Sequence, residues 1–252
     1  MKKILITGAS GAIGGALAEL FASGDVELHL HGRDATRLEA VASACRAVGC
    51  QVFVHRLDLR DSSAVRNWVA GLSTDYPFDL IVVCAGVNTN IGDAGQGEPW
   101  DEVETLLAVN LKATMAIVDS ALPSMRLRKS GQIVLISSLA GYFGLPVTPS
   151  YCASKAAVKA YGEALRGWLA PEGIRVNVVM PGYVESEMCA AMPGPKPFLW
   201  SEKRAARTIR QGLEKNKARI SFPFPLNLGT WFLAVLPAGV SIKILSWLGY
   251  GR

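Results

Sequence analysis

Seven short, largely apolar runs alternate with helix-like segments along this chain, and this alternation restricts the fold more than any other feature. The runs cover residues 3–7, 26–31, 51–57, 79–84, 133–136, 174–180 and 220–222. Helix-like segments cover residues 15–22, 35–48, 62–73, 100–125, 151–169 and 201–215. Strands without polar alternation are buried on both faces, and strands that alternate with helices form a parallel sheet. We therefore predict a three-layer α/β fold with a parallel seven-stranded sheet.

The composition fits one folded domain. The chain has 252 residues, of which 50% are hydrophobic and 19% are charged, so it is not a disordered chain. The formal net charge is +5, without a dense run of Lys or Arg. We therefore expect no nucleic-acid partner, although the sign of the charge suits a phosphate pocket.

Cysteines, histidines and the N-terminus give no sign of a metal, disulfides or a signal peptide. None of the five cysteines forms a CxxC pair, which suits a reducing cytoplasm. His29 and His31 share a strand face, but we find no carboxylate or cysteine at ligand spacing and expect no metal. The first apolar run is too short for a signal peptide, so we expect a cytoplasmic location.

A glycine-rich turn follows the first strand. It reads GASGAIG from Gly8 to Gly14 and leads into a helix. A strand, a glycine-rich turn and a helix direct backbone N–H groups and the helix dipole at a pyrophosphate. The position of this turn in the first strand–helix unit strengthens the prediction of a dinucleotide site.

The second strand ends at a candidate for recognition of the adenosine ribose. In dinucleotide folds an acidic residue here accepts the 2′-hydroxyl, whereas a basic residue suits a 2′-phosphate. Here Gly32 leaves space and Arg33 follows it. Arg33 is therefore a candidate phosphate ligand, with a solvated turn arginine as the alternative.

Residues 131–155, GQIVLISSLAGYFGLPVTPSYCASK, combine a strand, a serine pair and the start of a helix. Tyr151 and Lys155 are four residues apart on the helix and share a face. A neighbouring ammonium lowers a phenol pKa from its ordinary ~10, which makes Tyr151 a candidate proton donor. Ser138 could bind the same substrate oxygen. A Tyr–Lys pair by itself is more often a surface or packing pair.

These motifs occur together in a fixed order. They are Thr7-Gly8 with Gly14, Asp58-Leu59, Ala85-Gly86, Asn110, Ser138, Tyr151, Lys155 and Pro181-Gly182. In this order and spacing the chain resembles the classical short-chain dehydrogenase/reductase family over about residues 1–225. The resemblance implies a Rossmann fold and a nicotinamide-dependent oxidoreductase acting on a carbonyl/secondary-alcohol pair.

The resemblance also implies four catalytic residues. Tyr151 would be the general acid in carbonyl reduction, or the base in alcohol oxidation. Ser138 would polarise the substrate oxygen, and Lys155 would hold the nicotinamide ribose and depress the pKa of Tyr151. Asn110 would help to position a water that relays protons to Lys155.

The turns after four strands would contact successive parts of the cofactor. The implied pairs are Ser10 and Ile13 at the pyrophosphate, Asp58 and Leu59 at the adenine, Ala85 and Gly86 at the adenine ribose, and Val184 and Ser186 at the carboxamide. The complete expected set is Gly8, Ser10, Gly11, Ala12, Ile13, Gly14, Arg33, Asp58, Leu59, Ala85, Gly86, Tyr151, Lys155, Pro181, Gly182, Val184 and Ser186.

The chain departs from the family pattern in two places besides Ser186, which replaces a usual threonine. Ala12 replaces the middle glycine, where a Cβ narrows the approach to the pyrophosphate and the freedom to adopt φ > 0 is lost. We expect Gly11 to absorb the turn. Cys84 replaces an asparagine that ties the sheet together, for which we expect a local stability effect only.

We expect NADP rather than NAD as the cofactor. Arg33 is the single marker, since nothing acidic precedes it at Gly32 and the glycine turn lacks the basic residue common in NADP-preferring members. The family's usual assembly is a homodimer or homotetramer formed through the long helices, here residues 100–125 and 150–169. The substrate pocket is expected between residues 87–99, 139–149 and 185–199.

The family pattern ends near residue 222, which divides the chain into a domain of residues 1–222 and an apolar tail of residues 223–252. No charge occurs from 220 to 242, but Pro223, Pro225 and Pro237 interrupt this segment. The tail could cover the pocket or a subunit interface, or it could span a membrane. It could also lie on a membrane surface, with these anchors: Trp231, Trp247, Tyr250, Lys243 and Arg252.

A hydrophobic or lipid-like carbonyl substrate would fit a tail that faces a membrane. The alternative to an enzyme is a cofactor-binding regulatory protein or a membrane-attached scaffold without turnover. The intact Ser138, Tyr151 and Lys155 favour the enzyme.

Overall fold

The structure, a computed structural model, describes residues 1–92 and 95–250. Its seven strands are β1 Lys2–Thr7, β2 Val26–His31, β3 Gln51–His55, β4 Leu80–Val83, β5 Gly131–Ile136, β6 Ile174–Pro181 and β7 Arg219–Phe222. They form one sheet in the order β3-β2-β1-β4-β5-β6-β7, and every neighbouring pair is parallel. The predicted three-layer Rossmann fold is confirmed.

Helices cover both faces of the sheet and extend beyond it. They are α1 Ala12–Phe21, α2 Ala35–Ala47, α3 Ser62–Asp75, α4 Trp100–Leu107, α5 Ala113–Arg128, α6 Pro149–Leu169, α7 Glu187–Ala190, α8 Glu202–Glu214, α9 Leu226–Val235 and α10 Ala238–Trp247. A π-helical turn, Ala108–Lys112, divides the predicted helix of residues 100–125 into α4 and α5. The predicted loop of residues 185–199 contains the short α7, and the tail folds into α9 and α10.

The two sheet faces bury separate cores because successive strand residues point in opposite directions. Ile4 packs into a cluster that includes α1, α2 and α8, whereas its neighbour Leu5 packs into one that includes α3, α5 and α6. All six residues of β2 and of β5 are buried. Double burial suits the apolar run at the end of β5, whereas β2 alternates apolar residues with the buried polar residues Glu27, His29 and His31.

The strand order reverses direction at β1, which lies between β2 and β4. Thr7 at the end of β1 is in register with His31 on β2 and with Val83 on β4. The three turns that follow these strands therefore meet at one edge of the sheet. In open α/β sheets this is the crevice where ligands bind.

His29 has a carboxylate partner that the sequence analysis missed. Its Nε2 lies 3.0 Å from Glu27 Oε1, and its Nδ1 lies 3.1 Å from Nε2 of His55. Glu27 and His29 are both buried. Across residues 1–92 and 95–250, no group of three or more His, Cys, Asp or Glu side chains could hold a metal ion. Glu27, His29 and His55 therefore form a hydrogen-bonded group within the sheet.

Candidate active site

A cavity of about 1060 Å³ lies at the carboxyl edge of the sheet. The glycine turn, the ends of β4, β5 and β6, and the tail helices line it. Every residue expected to contact the cofactor lines this cavity, as do three of the four expected catalytic residues, Ser138, Tyr151 and Lys155. Asn110 does not line the cavity.

The glycine turn is shaped by close backbone contacts. Gly8 has φ 71°, and a Cβ there would lie 2.7 Å from the Ala85 backbone. A Cβ on Gly14 would overlap the Gly8 carbonyl. The left-handed residue is therefore Gly8, and the expectation that Gly11 absorbs the turn is wrong, because Gly11 has φ −92°. Ala12 is the first residue of α1 and needs no left-handed conformation.

The start of α1 fits an anionic group. Its N-cap is Gly11, and no side chain among the described residues caps the helix. The first N–H groups of a helix have no partner within the helix, and together with the helix dipole they favour an anion. The absence of side chains at Gly8 and Gly14 leaves the backbone open to a pyrophosphate.

Arg33 lines the cavity directly after β2. It is exposed, and within the part of the chain that the structure describes it forms no ion pair. Its neighbour Gly32 lies against Ser10, since a Cβ on Gly32 would be 2.6 Å from the Ser10 Oγ. Arg33 is thus placed at the end of β2 with its cationic group available to a ligand.

Arg37 and Arg60 also line the cavity, and the sequence analysis missed both. Arg60 Nη2 lies 2.6 Å from Asp58 Oδ2, and this hydrogen-bonded pair lowers the pKa of Asp58 to about 2. Arg37 Nη1 lies 2.8 Å from Glu187 Oε2, so this pair connects α2 to α7 beside the cavity. In the sequence nothing distinguishes Arg37 or Arg60 from ordinary solvated arginines.

Helix α6 lies close to β5 and β6, which fixes the position of Lys155. The Lys155 Nζ donates to the Ile136 carbonyl at 3.0 Å, and the Ser137 hydroxyl donates to the Lys155 carbonyl at 2.7 Å. A Cβ on Gly162 would be 2.5 Å from a methyl group of Val178. The missing side chain at Gly162 lets the helix approach the sheet.

The pKa values of the tyrosine and lysine differ from the sequence-based expectation. Burial raises the pKa of Tyr151 to about 12, although a hydrogen bond with Ser138 acts in the opposite direction. Burial lowers the pKa of Lys155 to about 8. The Lys155 Nζ is 5.5 Å from the centre of the Tyr151 ring, yet desolvation outweighs any effect of this cation. The expected depression of the Tyr151 pKa is therefore not present in this structure.

Asn110 lies in the π-helical turn, behind the cavity. Its Oδ1 accepts from the Val87 N–H at 2.8 Å, while its Nδ2 donates to the Val87 carbonyl at 2.9 Å and to Ser154 Oγ at 3.1 Å. The side chain thus holds the loop after β4 to α6. The poor helix propensity of asparagine was the one sequence signal for this irregular turn. The expected water relay stays a prediction.

Apolar side chains from the tail line part of the cavity. The tail supplies Leu233 from α9 and Leu245 from α10, which pack with Phe143 and Leu145. Two hydrogen bonds of Tyr250 anchor the tail. The Tyr250 Oη lies 3.1 Å from Tyr183 Oη and 2.8 Å from the Pro195 carbonyl oxygen.

The three segments expected to form the pocket contribute unequally. Segments 139–149 and 185–199 supply several lining residues, whereas from segment 87–99 only Val87 lines the cavity among the described residues. Positions 93 and 94 of that segment lie outside the described residues.

The tail helices are too short to span a bilayer. Helices α9 and α10 have 10 residues each, a length of ~15 Å against a hydrocarbon core of ~30 Å. The transmembrane interpretation of the tail is therefore wrong. The continuous helical stretch Trp100–Arg128 is long and apolar enough to span, but 56% of its apolar window is buried. It packs as a core helix.

Comparisons with known proteins identify the family. Residues 2–194 match the family model for short chain dehydrogenases. The chain is 34% identical over 234 residues to an uncharacterized oxidoreductase of Myxococcus xanthus, covering 92% of each chain. It is 38% identical over 227 residues to an uncharacterized oxidoreductase of Mycobacterium tuberculosis, covering 88% of each.

A solved structure shows the same fold with a cofactor. A short-chain dehydrogenase from Sphingobium yanoikuyae in complex with NADPH is 26% identical, with a TM-score of 0.82. The match covers 98% of this chain and 96% of that one. The chain belongs to the short-chain dehydrogenase/reductase family. It is an NAD(P)-dependent oxidoreductase.

Cofactor affinity should depend on the charge of Lys155. Because burial lowers the pKa of Lys155 to about 8, the ammonium is present below that pH and lost above it. If the charged form holds the nicotinamide ribose, NADPH affinity should fall above pH 8, by up to ~10-fold per pH unit. A fluorescence titration of NADPH between pH 7 and 10, in ~1-unit steps, measures this dependence.

Two variants identify the titrating group. Lys155→Arg keeps its charge over this range and should lose the pH dependence. Tyr151→Phe should retain it. A flat wild-type profile, or an unchanged decline in Lys155→Arg, would contradict the assignment.

Proposed function

We propose that the chain is an NADP-dependent reductase of apolar ketones or aldehydes, acting on a carbonyl/secondary-alcohol pair. The observation that carries the proposal is one continuous cavity. It joins the glycine turn, the group Ser138, Tyr151 and Lys155, and an apolar end built from the tail. A carbonyl held by Ser138 and Tyr151 would direct its apolar substituents toward α9 and α10.

The proton chemistry follows from the position of Tyr151. With a pKa raised to about 12, the phenol is protonated at neutral pH and can donate to a developing alkoxide. In this proposal Ser138 Oγ donates a second hydrogen bond to that oxygen and polarises the carbonyl. A bound nicotinamide supplies the hydride. Oxidation of an alcohol would use the same group as the phenolate base, so it should require higher pH than reduction.

The substrate end favours an uncharged, apolar molecule. The lining residues contributed by α9 and α10 are Leu226, Gly229, Thr230, Phe232, Leu233, Ile244 and Leu245, and none is charged. A carboxylate or phosphate on this part of the substrate would lose its hydration without gaining a partner. Apolar substituents would be favoured by burial at this end.

The preference for NADP depends on Arg33. It is exposed at the end of β2, where the family resemblance and the physics of 2′-phosphate recognition both place a cation.

The sites for the cofactor and substrate are proposed within one subunit. Assembly into a homodimer or homotetramer through α4, α5 and α6, and a cytoplasmic location, stay predictions.

The first test is consumption of NADPH with a panel of ketones. Wild-type protein should oxidise NADPH with apolar ketones and should discriminate against carboxylated analogues. Tyr151→Phe should reduce kcat by ~100-fold or more, since a positioned general acid contributes 10²–10⁴-fold, while NADPH binding is retained. Wild-type protein that binds NADPH but turns over no ketone would favour the regulatory or scaffold alternative, and activity that survives Tyr151→Phe would refute the proposed acid.

Arg33→Gln tests the cofactor preference. Loss of a charged hydrogen bond to phosphate should weaken NADPH binding by ~10- to 100-fold and leave NADH binding nearly unchanged. Arg60→Gln is the matched control. Arg60 is already paired with Asp58, so this substitution should change the ratio of NADPH affinity to NADH affinity less. Tighter binding of NADH than NADPH by wild-type protein would overturn the preference.

A further inference from the structure

The α9–α10 hairpin exposes an unusually apolar outer face. Eighteen large hydrophobic side chains are exposed in the described part of the chain, and nine of them lie between residues 224 and 248. The six that define the hairpin surface here are Phe224, Trp231, Phe232, Val235, Ile242 and Trp247. Trp247 is 85% exposed and Phe224 is 76% exposed, so neither side chain is required by the packing of the core.

The inner face of the hairpin is also apolar. Leu233 and Leu245 are buried against Phe143 and Leu145 beside the cavity. Surface helices of soluble proteins normally carry a polar face, and a helix that is apolar all round is usually covered. Exposed apolar surface of this kind marks a protein or membrane contact.

The charge pattern distinguishes a lipid surface from a second copy of the chain. Lys243 is the only charged residue from 220 to 250, and it is exposed. The last acidic residue of the chain is Glu214. Two hairpins packed on each other would offer no carboxylate to pair with either Lys243. Anionic headgroups would instead pair with Lys243, and exposed tryptophans favour the headgroup level.

The cavity opens at the same face. Phe232 and Leu248 both line the cavity, yet they are 52% and 48% exposed. A molecule dissolved in the outer part of a bilayer would therefore meet the cavity beside the hairpin. An opening of the cavity beside the hairpin agrees with an apolar substrate, and this part of the inference rests on the proposed function.

We propose that the α9–α10 hairpin docks the protein on an anionic bilayer. The hairpin lies in the interface, with Trp231 and Trp247 among the headgroups and Lys243 beside anionic lipid. Helices of this length cannot span the hydrocarbon core, so the attachment is peripheral. The cavity mouth then faces the lipid.

Vesicle flotation of the full chain tests the docking. Wild-type protein should float with vesicles that contain phosphatidylglycerol and should bind pure phosphatidylcholine vesicles more weakly. The double variant Phe224→Ser, Trp247→Ser should reduce binding by ~10-fold or more, because both side chains lose their apolar burial. Lys243→Glu should reduce binding to the anionic vesicles selectively. Neither Phe224, Trp247 nor Lys243 lines the cavity.

The matched control is Trp100→Ser, which removes a tryptophan that is 70% exposed and distant in sequence from the hairpin. It should float like the wild type. NADPH binding, measured in parallel, verifies that each variant is folded. Protein that ignores both vesicle types, or a double variant that floats normally, overturns the proposal.

The oligomeric state distinguishes docking on a membrane from contact with a second copy of the chain. If wild-type protein ignores vesicles but forms a concentration-dependent oligomer that the double variant loses, the hairpin surface is an interface between copies and docking is refuted. Turnover of a water-soluble ketone is measured without vesicles. A failure of docking therefore leaves the proposed reductase activity standing, and the reverse also holds.

Discussion

The contact between α6 and β5 positions the proposed chemistry. Lys155 is joined to the end of β5 through its own ammonium, and its carbonyl accepts from Ser137. Gly141 and Gly162 make this approach possible, because a Cβ on Gly141 would lie 2.9 Å from the Lys155 carbonyl oxygen and one on Gly162 would meet Val178. Tyr151 lies one helical turn before Lys155 and moves with it. Small displacements of reacting groups are costly, so this packing matters to the proposed reaction.

The second half of the site comes from the reversal of strand order at β1. The Gly8 turn, the loop after β4 and the end of β2 meet there because the three strands are parallel and in register. Asn110 adds a link between the halves, since its side chain connects Val87 to Ser154 on α6. The loop after β4 and the helix that carries Tyr151 are thus joined by hydrogen bonds through one side chain.

The fold was predictable because strands buried on both faces leave short, largely apolar runs that alternate with helices. The positions of Ser138, Tyr151 and Lys155 could also be predicted, since motif order and spacing carry them. The direction of the shift in the Tyr151 pKa could not be predicted, because it depends on desolvation by residues distant in sequence. The division of the helix at Asn110, and the contact of Arg37 with Glu187, likewise depend on tertiary packing.

The tail shows a different limit of sequence reasoning. Its prolines and apolar residues were visible, but periodicity did not show that Leu226–Val235 and Ala238–Trp247 form two helices with Leu233 and Leu245 turned inward. The tail completes an apolar cavity and presents apolar side chains outward. These two faces connect the proposed substrate class to the proposed location on a lipid surface.

We propose that NADPH bound in this cavity transfers a hydride to an apolar carbonyl while Tyr151 supplies the proton. The most direct measurement is isotope transfer from NADPH that carries deuterium at both C4 positions of the nicotinamide, followed by mass spectrometry of the product alcohol. The account predicts that the alcohol formed from an apolar ketone carries the deuterium on its carbinol carbon. Protein that binds the labelled NADPH in this cavity but yields no labelled alcohol from any apolar ketone would contradict the account.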